Sequence, residues 1–349
     1  MESFQRARDN IPMSLSQKFI VPEEHRPNLS QISTQASIPI IDLSFDLNDH
    51  DPPSPLLVQE ILQASEEYGF FQIINHGVPQ DLCKKTMTAV ADFYSLPSQE
   101  RSQFTDSTKP VKFTEYLLKS KDQENANVSL WSESLNHPWD PAGDFASLLP
   151  QNPPQYRETF AEYAKEIDKV MKRLFGLISQ GLGLEKDYLE KKLGENPWLT
   201  ALANFFPPCP DPELTLGMST HTDLSALTVL MQSEEVTCLQ VLKDDKWIAV
   251  HPLPNAFVIN LGDQLEVLSN GRLKSVHHRV VTNKMQQRIS VALFYGPNME
   301  TMIGPIEELT DEQNPPLYRS YTCAEFLEEF KRQAGKRPMV KEAFQLRRQ

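Results

Sequence analysis

The stretch Met218–Met231, "MSTHTDLSALTVLM", places an imidazole and a carboxylate one residue apart at the start of an apolar segment. Burying a charge is costly unless the charge is paired or binds a metal. Residues two apart in a strand point to the same face, so His221 and Asp223 are expected to project together while Thr222 points away. One imidazole and one carboxylate are two ligands of a metal site. The sequence therefore predicts a third ligand elsewhere in the chain.

The segment "SVHHRVV" contains the best candidate for that ligand among eight histidines. His278 shares a strand face with Val276 and Val280, whereas His277 shares its face with a serine and an arginine. The more apolar face is expected to point inward, which favours His278. The other five histidines are interpreted as surface, turn, lid or strand-end residues: His25, His50, His76, His137 and His251.

The segment "RISVALF" places a guanidinium and a hydroxyl on one strand face that is otherwise apolar. Arg288 can give a carboxylate two parallel hydrogen bonds, and Ser290 adds a further donor. An arginine at a strand start, taken alone, is better explained as a surface residue. The combination with the serine favours a carboxylate receptor.

Two histidines and one carboxylate on a β scaffold form the facial triad of non-haem Fe(II) oxygenases. A three-ligand zinc site uses similar residues, so the triad by itself leaves the metal open. The nearby receptor favours iron together with a 2-oxo acid. Such an acid chelates the metal through its keto and C1 carboxylate oxygens while its far carboxylate reaches Arg288 and Ser290.

The elements that must position these residues are predominantly β. From about residue 199 onward the chain consists of short β-rich segments separated by turn residues, which indicates an all-β sandwich or barrel. Helical spacing of apolar residues predicts helices at 54–69, 79–94, 154–183 and 323–334. The polar segment 110–150 is predicted to be a loop that caps the open end as a lid. The sequence thus predicts a β core wrapped by helices.

Composition and charge exclude several classes of protein. The net charge of −13 argues against nucleic acid or an anionic membrane as the main partner, because both select basic surfaces. There is no apolar run of membrane-spanning length and no apolar core of a secretory signal at the amino terminus. The motifs GxGxxG, GxxxxGK[ST] and GxSxG are absent. Four well-separated cysteines fit reduced thiols, so we expect a cytoplasmic protein.

With these residues in view, the chain resembles the plant-type Fe(II)/2-oxoglutarate-dependent dioxygenases. The segments that carry the resemblance stand in the family's order and spacing: "PIIDLS", "GFFQIINHGVP", "NFFPPCPDPELTLGMSTHTD", "FVINLGDQLEVLSNGRLKSVHHRVV" and "RISVALFYGP". The resemblance implies a fold that is mainly β with α, a double-stranded β-helix (jelly roll) core flanked by helices. It also implies Fe(II) held by the catalytic residues His221, Asp223 and His278, and 2-oxoglutarate held by Arg288 and Ser290.

The resemblance covers roughly residues 37–335 and suggests how the chain is organised. Four regions are predicted: a loosely ordered leader (1–36), an amino-terminal helix and strand region with the lid (37–150), the jelly-roll catalytic core with a support helix and a carboxy-terminal helix (151–335), and a tail (336–349).

One position departs from the family pattern. The family motif reads Asn-Tyr-Tyr-Pro, and the second tyrosine hydroxyl often contacts 2-oxoglutarate, whereas this chain has "NFFP". Phe206 keeps the ring and lacks the hydroxyl, which removes a hydrogen bond of about 0.5–1.5 kcal/mol. We expect a modest weakening of 2-oxoglutarate binding, with Asn204 contributing to the same site.

The resemblance also suggests residues that contact the substrate. Phe294 matches a position that stacks on aromatic substrates in relatives, and Phe206 is a further candidate. The segment "SLWSESLNH" resembles the pocket-lining segment of the family, which makes Trp131, Leu135 and Asn136 candidates. For Trp131, simple core packing is the alternative.

The implied activity is oxidation of a small specialised metabolite or hormone, flavonoid-like, phenolic or alkaloid, with release of succinate and CO2. Hydroxylation, desaturation and ring closure all occur in the family, and ascorbate is expected to support activity. The expected partners are the small substrate and O2, and the expected state is a monomer. One alternative keeps the fold and the iron site but oxidises its substrate without 2-oxoglutarate. Another is a non-catalytic binding protein or one with a different metal.

Overall fold

Two β-sheets form the centre of the protein in the computed structural model, which describes residues 15–28, 32–33, 37–44, 53–114, 116–119, 127–333 and 340–346. The strands of these residues, in chain order, are β1 (Ile32–Ser33), β2 (Ile40–Asp42), β3 (Phe70–Ile74), β4 (Lys112–Thr114), β5 (Leu117–Lys119), β6 (Asn127–Ser129), β7 (Glu133–Pro138), β8 (Trp198–Phe206), β9 (Met218–His221), β10 (Leu227–Gln232), β11 (Leu239–Lys243), β12 (Lys246–Ala249), β13 (Phe257–Leu261), β14 (His278–Val280), β15 (Arg288–Gly296), β16 (Met302–Ile303) and β17 (Tyr321–Thr322).

The larger sheet has eight strands in the order β2-β3-β13-β10-β15-β8-β7-β4, and the smaller sheet has five in the order β1-β12-β11-β14-β9. Neighbouring strands are antiparallel except for β2–β3 and β1–β12. Two short pairs, β5–β6 and β16–β17, stand apart from both sheets. The strand order is not the chain order, so strands distant in sequence become neighbours.

The two faces of the larger sheet contact different partners. Side chains alternate along a strand, and the neighbouring residues Phe205 and Phe206 of β8 show this directly. Phe205 packs into the core beneath the helices, whereas Phe206 packs between the two sheets with residues such as Val241 of β11. The molecule therefore has a helix-side core and an inter-sheet core. This arrangement of a β core with helices on one outer face agrees with the predicted fold class.

Seven α-helices lie in the described residues: α1 (Pro55–Glu67), α2 (Gln80–Ser95), α3 (Ser98–Arg101), α4 (Tyr156–Gly181), α5 (Tyr188–Lys192), α6 (Asp263–Leu268) and α7 (Cys323–Gln333). The longest, α4, is the predicted support helix, and its buried stripe packs in the helix-side core. Two residues after its end, Gly183 is left-handed (φ +81°), and the amides of Gly183 and Leu184 donate to the carbonyls of Gln180 and Ser179. This is a Schellman cap, which only a residue tolerant of positive φ completes without strain.

Part of the predicted lid is strand. Within 110–150 the described residues include β4 to β7, and β7 pairs with β8 as part of the larger sheet. The prediction of a loop was wrong for these four strands, because each is ordered by pairing with another strand and the polar composition does not show that pairing. His137, expected in the lid, is fully buried beside Phe160. His76, expected in a turn, is also buried, and its ring stacks on Phe257.

Parts of the predicted leader and tail pack against the core. Phe19 and Val21 are buried, and Phe19 meets the Trp131 ring edge-on at 4.8 Å. In the tail, Val340 and Phe344 are buried, and Phe344 lies 4.2 Å from the Tyr321 ring. The predicted loose leader thus does not apply to residues 19 and 21. Residues 1–14 and His50, which was predicted to be a surface residue, lie outside the described residues.

The four cysteines Cys83, Cys209, Cys238 and Cys323 are free and buried. Among the described helices, none combines the length and the apolar character needed to cross a membrane.

Candidate active site

The strand pairing of the smaller sheet places two histidines side by side. His221 is the last residue of β9, His278 is the first residue of β14, and the two are direct partners in the antiparallel ladder. Their ring centroids are 4.1 Å apart. A single register pair therefore joins residues that are 57 positions apart in sequence (278 − 221).

Asp223 completes the cluster from outside the strand. β9 ends at His221, so Asp223 lies in the turn that follows, and the expectation that both residues share one strand was wrong. Its Oδ1 nevertheless lies 3.7 Å from Nε2 of His221 and 3.5 Å from Nε2 of His278. The three ligand atoms all lie within 4.8 Å of one another. Thr222 points away, as predicted, with its hydroxyl 3.3 Å from Asp263.

The other carboxylate oxygen of Asp223 is held by two hydrogen bonds. Thr228 Oγ1 and Asn260 Nδ2 each donate to Oδ2 over 2.6 Å. Burial alone raises the pKa of this carboxyl, but the two imidazoles and these hydrogen bonds prevail and hold the pKa below its usual range. Asp223 is therefore an oriented anion whose Oδ1 faces the two histidines.

Backbone carbonyls orient both imidazoles. Nδ1 of His221 lies 2.7 Å from the Ser219 carbonyl, and Nδ1 of His278 lies 3.3 Å from the Val276 carbonyl. A carbonyl only accepts, so each Nδ1 carries a proton there and each Nε2 is left facing Asp223. Burial lowers the pKa of His278 to about 4, so this ring is neutral near pH 7. Two imidazoles and one carboxylate converging in this way fit a divalent metal ion.

A buried arginine of the larger sheet lies on the face that points toward the smaller sheet. Arg288, the first residue of β15, is 1% exposed and donates to Gln232 Oε1 over 2.8 Å and to Ser290 Oγ over 3.3 Å. Burial lowers its pKa to about 10, so the guanidinium stays charged at neutral pH. In the described part of the chain it forms no ion pair with a carboxylate. A buried cation without a counter-ion fits an anionic ligand.

A row of polar side chains crosses the larger sheet beside this arginine. Successive strands pair Gln232 with Ser290, Ser290 with Asn204, and Asn204 with Ser134. Ser134 donates to Asn204 Oδ1 over 2.6 Å, and Asn204 Nδ2 lies 3.4 Å from Ser290 Oγ. We call these four residues the polar row. Asn204 thus lies in the predicted receptor.

Three of the five substrate candidates, Phe294, Asn136 and Phe206, lie on the inter-sheet face. Phe294 follows Arg288 on the same face of β15 and is half-buried against the inter-sheet core. Asn136, also half-buried, shares its face of β7 with Ser134 of the polar row. Phe206 is the direct strand partner of Arg288, whose guanidinium lies 5.1 Å from the ring centroid.

The other two candidates have structural roles, and their prediction as pocket residues was wrong. Leu135 alternates to the opposite face of β7 and is fully buried in the helix-side core. Trp131 packs against Phe19 and Cys209 in a separate small cluster, and its indole N–H donates to the Pro207 carbonyl over 3.0 Å. Core packing, the alternative for Trp131, is what the structure shows.

Sequence reasoning missed several polar residues of the site. Thr228, Asn260 and Gln232 each interrupt a strand that is otherwise fully buried, in "LTVLMQ" and "FVINL". A polar residue in such a strand needs a partner, and that signal was available in the sequence. Tyr116 is a further case, because burial and the Asp223 carboxylate raise the pKa of its hydroxyl, which lies within electrostatic reach of the cluster.

A buried network links the ligand-bearing segments to the tail. Asp263 accepts hydrogen bonds from Thr222, which lies between His221 and Asp223, and from Ser275, which lies on the segment that leads to His278. Its backbone N–H donates to the Asp223 carbonyl over 2.8 Å. Lys341 of the tail lies 3.3 Å from Asp263 Oδ1, donates to Glu266 Oε2 over 2.7 Å, and is 2% exposed. Because Asp263 contacts both segments, this network holds the two ligand-bearing segments against each other.

Two packed sheets that gather two imidazoles, a carboxylate and a buried cationic receptor define the class of jelly-roll Fe(II) oxygenases that use a 2-oxo acid. Comparison with known proteins gives the same result. The model of the 2OG-Fe(II) oxygenase superfamily matches residues 198–297, and the model of the amino-terminal region of the non-haem dioxygenase in morphine synthesis matches residues 38–159. The chain belongs to the 2OG-Fe(II) oxygenase superfamily.

Individual relatives span nearly the whole chain. DMR6-LIKE OXYGENASE 1 of Arabidopsis thaliana is 40% identical over 316 residues, which is 89% of this chain and 88% of that protein. Flavanone 3-dioxygenase 2 of Oryza sativa subsp. japonica is 38% identical over 315 residues, 90% of this chain and 89% of that protein. The crystal structure of JOX2 in complex with 2OG, Fe and JA has a TM-score of 0.84 at 33% identity, covering 99% of this chain and 97% of that one.

These comparisons confirm the jelly-roll fold with flanking helices. The protein is a 2-oxoglutarate-dependent dioxygenase, an oxidoreductase that uses Fe(II) and 2-oxoglutarate. They support this activity and not the alternative of an oxidase that works without 2-oxoglutarate.

Proposed function

We propose that the protein oxidises a small ring-containing metabolite or hormone, with Fe(II) bound by His221, Asp223 and His278. In this proposal the far carboxylate of 2-oxoglutarate binds Arg288 and Ser290. The observation that carries the proposal is the convergence of three ligand atoms within 4.8 Å in the same interior that buries an arginine without a carboxylate partner. These groups fit a metal ion and an anionic cosubstrate, respectively.

When Fe(II) and 2-oxoglutarate are bound, the chemistry available is the coupled oxidation of 2-oxoglutarate to succinate and CO2 and of a substrate C–H bond by O2. The protein's residues orient and shield the reactants. Thr228 and Asn260 hold Oδ2 of Asp223, so Oδ1 would be the oxygen available to the metal. Asn204 and Ser290 set the carboxylate end, and the apolar inter-sheet core limits water around the reacting atoms.

We propose a flavonoid-like substrate first and a phenolic or alkaloid substrate next. A relative at 38% identity is a flavanone dioxygenase. The half-buried Phe294 on the inter-sheet face offers an aromatic ring on which a planar substrate can stack. Asn136 on the same face supplies a polar contact for a ring substituent.

The metal site is tested by His221→Ala and Asp223→Ala, each assayed for 2-oxoglutarate-dependent succinate formation. Both variants are expected to lose activity and to bind Fe(II) weakly, since each retains only two ligands. Folding is checked by circular dichroism, and Thr86→Val, which changes a buried hydroxyl in α2, serves as a control that keeps activity. Full activity in either ligand variant would overturn the proposal.

The substrate is tested by a panel of flavanones, simple phenols and tropane-type alkaloids, monitored by succinate release above the uncoupled rate. Product mass distinguishes the reactions, because hydroxylation adds one oxygen and desaturation removes two hydrogens. A panel in which only alkaloids stimulate succinate release would replace the flavonoid proposal.

We further propose that the protein works as a monomer in the cytoplasm and that ascorbate sustains its turnover. The four buried free cysteines are compatible with a reducing compartment. Light scattering of the purified protein tests the monomer, and a fluorescent fusion tests the location. Turnover numbers measured with and without ascorbate test its role as a reductant.

A further inference from the structure

Gln232 lies beside the carboxylate receptor on the neighbouring strand. It is the last residue of β10 and the direct register partner of Ser290, so it lies on the same inter-sheet face. Its side chain is 8% exposed and follows five apolar or hydroxyl-bearing residues of a fully buried strand. β15 therefore carries the receptor between two flanking strands, with Gln232 on one side and Phe206 on the other.

The two ends of the Gln232 amide have different partners. A guanidinium only donates, so the end that faces Arg288 at 2.8 Å is the oxygen, Oε1. The other end, Nε2, is a buried donor that has no hydrogen-bond partner among the described residues, and the same holds for Nε of Arg288. Unpartnered buried donors are rare because leaving them unsatisfied is costly. One of these donors belongs to the buried guanidinium and the other lies beside it, which points to a ligand that only accepts hydrogen bonds.

We propose that Gln232 is a third donor to the far carboxylate of 2-oxoglutarate, together with Arg288 and Ser290. Its Nε2 supplies the hydrogen bond that a tyrosine at position 206 would give, while its Oε1 keeps the guanidinium aimed at the same carboxylate. Gln232 and the residue at position 206 lie on the two strands that flank Arg288. The donor that Phe206 lacks on one side is therefore supplied by Gln232 on the other. This inference rests on the proposed function, which assigns the receptor to 2-oxoglutarate.

The test measures binding without turnover. The Fe(II) protein is titrated under anaerobic conditions with 2-oxoglutarate and with 2-oxopentanoate, which has the same chain length and lacks the far carboxylate, and the charge-transfer absorption band reports Kd. Gln232→Met is expected to weaken 2-oxoglutarate binding by about 10-fold, since it removes one hydrogen bond to a charged group. Its affinity for 2-oxopentanoate is expected to equal that of the wild type.

A matched control separates this effect from loss of packing. Gln72 is a buried glutamine of the same sheet, on β3, and its amide donates to the His251 carbonyl over 3.1 Å away from the receptor. Gln72→Met is therefore expected to leave both affinities unchanged. If Gln232→Met weakens both 2-oxo acids alike, its effect does not pass through the far carboxylate and the inference is wrong.

Two further variants distinguish donation from mere positioning of Arg288. Phe206→Tyr returns a hydroxyl next to the guanidinium, so it is expected to restore most of the 2-oxoglutarate affinity in the Gln232→Met background and to change the wild type little. Lack of rescue would mean that Gln232 acts only by aiming Arg288, and would overturn the donor role.

Arg288→Met shows which proposal fails. If this variant keeps wild-type affinity for 2-oxoglutarate, the receptor itself is wrongly assigned and the proposed function fails with it. If Arg288→Met loses affinity while Gln232→Met does not, only the role of Gln232 is overturned.

Discussion

At the scale of single residues, the two oxygens of one carboxylate have separate functions. Oδ2 of Asp223 is saturated by Thr228 and Asn260, while Oδ1 remains directed at both imidazoles. A carboxylate free to rotate would offer either oxygen to a metal, and its rotation would have to be fixed on each binding event at a cost in conformational entropy. Thr228 and Asn260 fix the orientation of this carboxylate in the folded protein before any ligand binds.

Removing one of these donors tests the point. Thr228→Val keeps the shape of the side chain and deletes the hydrogen bond to Oδ2, so we expect Fe(II) affinity to fall by about 10–100-fold. Anaerobic titration with Fe(II) measures the change. The matched control is Thr86→Val, in which a buried hydroxyl bonded to the Leu82 carbonyl is deleted far from the site. Equal affinities for the two variants would contradict the orienting role of Thr228.

His137 makes a second residue-scale prediction, on stability and pH. Burial lowers the pKa of His137 from 6.5 to about 4. The unfolded chain therefore takes up a proton before the folded one does, and stability present above pH 6.5 is lost as the pH falls toward 4. Between pH 7 and pH 5 this single residue is expected to remove roughly 2 kcal/mol of the free energy of unfolding.

The test uses His137→Phe, an apolar ring among Phe145, Tyr156 and Phe160. Urea unfolding of the metal-free protein at pH 7 and pH 5 gives the loss of stability in each protein. The variant is expected to lose less than the wild type over this interval. The same loss in both proteins would show that His137 takes up no proton on unfolding.

At the scale of elements, the site depends on two kinds of connection. The β9–β14 ladder places His221 beside His278 through backbone hydrogen bonds alone. The turn that carries Asp223 has no such ladder and is held by α6, where the Asp263 amide and carboxylate contact it. The tail enters this arrangement through Lys341, whose Nζ lies 3.3 Å from Asp263 Oδ1. An element distant in sequence from the ligands thus stabilises their relative position.

Lys341→Met is expected to lower the free energy of unfolding by about 3 kcal/mol, because it leaves the buried Asp263 and the half-buried Glu266 without their cation. Chemical denaturation measures this loss, and a parallel titration is expected to show weaker Fe(II) binding. Lys331→Met, at an exposed position on α7, is the control and should change neither quantity. Unchanged Fe(II) affinity in a destabilised Lys341→Met protein would limit the network to a structural role.

At the scale of the whole molecule, the larger sheet separates the residues of the helix-side core from the residues of the candidate site. Its helix-facing side packs against α1, α2 and α4, while its other side carries the polar row and faces the smaller sheet. Alternation along each strand assigns neighbouring residues to these two tasks. Changes in one core should therefore leave the other largely unaffected.

Leu174→Ala tests this separation. Leu174 is fully buried on α4 in the helix-side core, and truncating it is expected to cost about 2–5 kcal/mol of stability. The affinity of the folded variant for 2-oxoglutarate is expected to match the wild type within twofold. Thermal unfolding and the anaerobic titration measure the two quantities on one preparation, and a large drop in affinity would show that the cores are coupled.

The extent to which sequence predicted these features follows from periodicity. Alternation correctly separated His278 from His277 and put Arg288, Ser290 and Phe294 on one face, because these choices depend only on a period of two. The same period was not applied to "SLWSESLNH", where it moves Leu135 to the helix side. Segment 110–150 was predicted as a loop because its strands are short and rich in polar residues, and they are strands only through pairing of β7 with β8, β4 with β7 and β5 with β6.

Other features depend on contacts that no local pattern contains. The end of β9 at His221 is set by its ladder with β14, so sequence alone placed Asp223 within the strand, although it lies two residues beyond the strand's end. The role of Lys341 arises from a tail that returns to α6, and that of Gln232 from the register between β10 and β15. These are long-range pairings, and a single sequence does not specify them.

The polar row has a consequence for how such an enzyme changes over time. Its four members are spaced by the hydrogen-bonding distance between strands, about 4.8 Å, and that spacing cannot drift without breaking the sheet. The sheet therefore keeps the spacing of these polar groups constant when residues around them are replaced. Phe294 and Asn136 lie on the same face outside the polar row and are only half-buried. New substrates can be acquired by replacing such residues one at a time, while the oxidising half of the reaction is inherited intact.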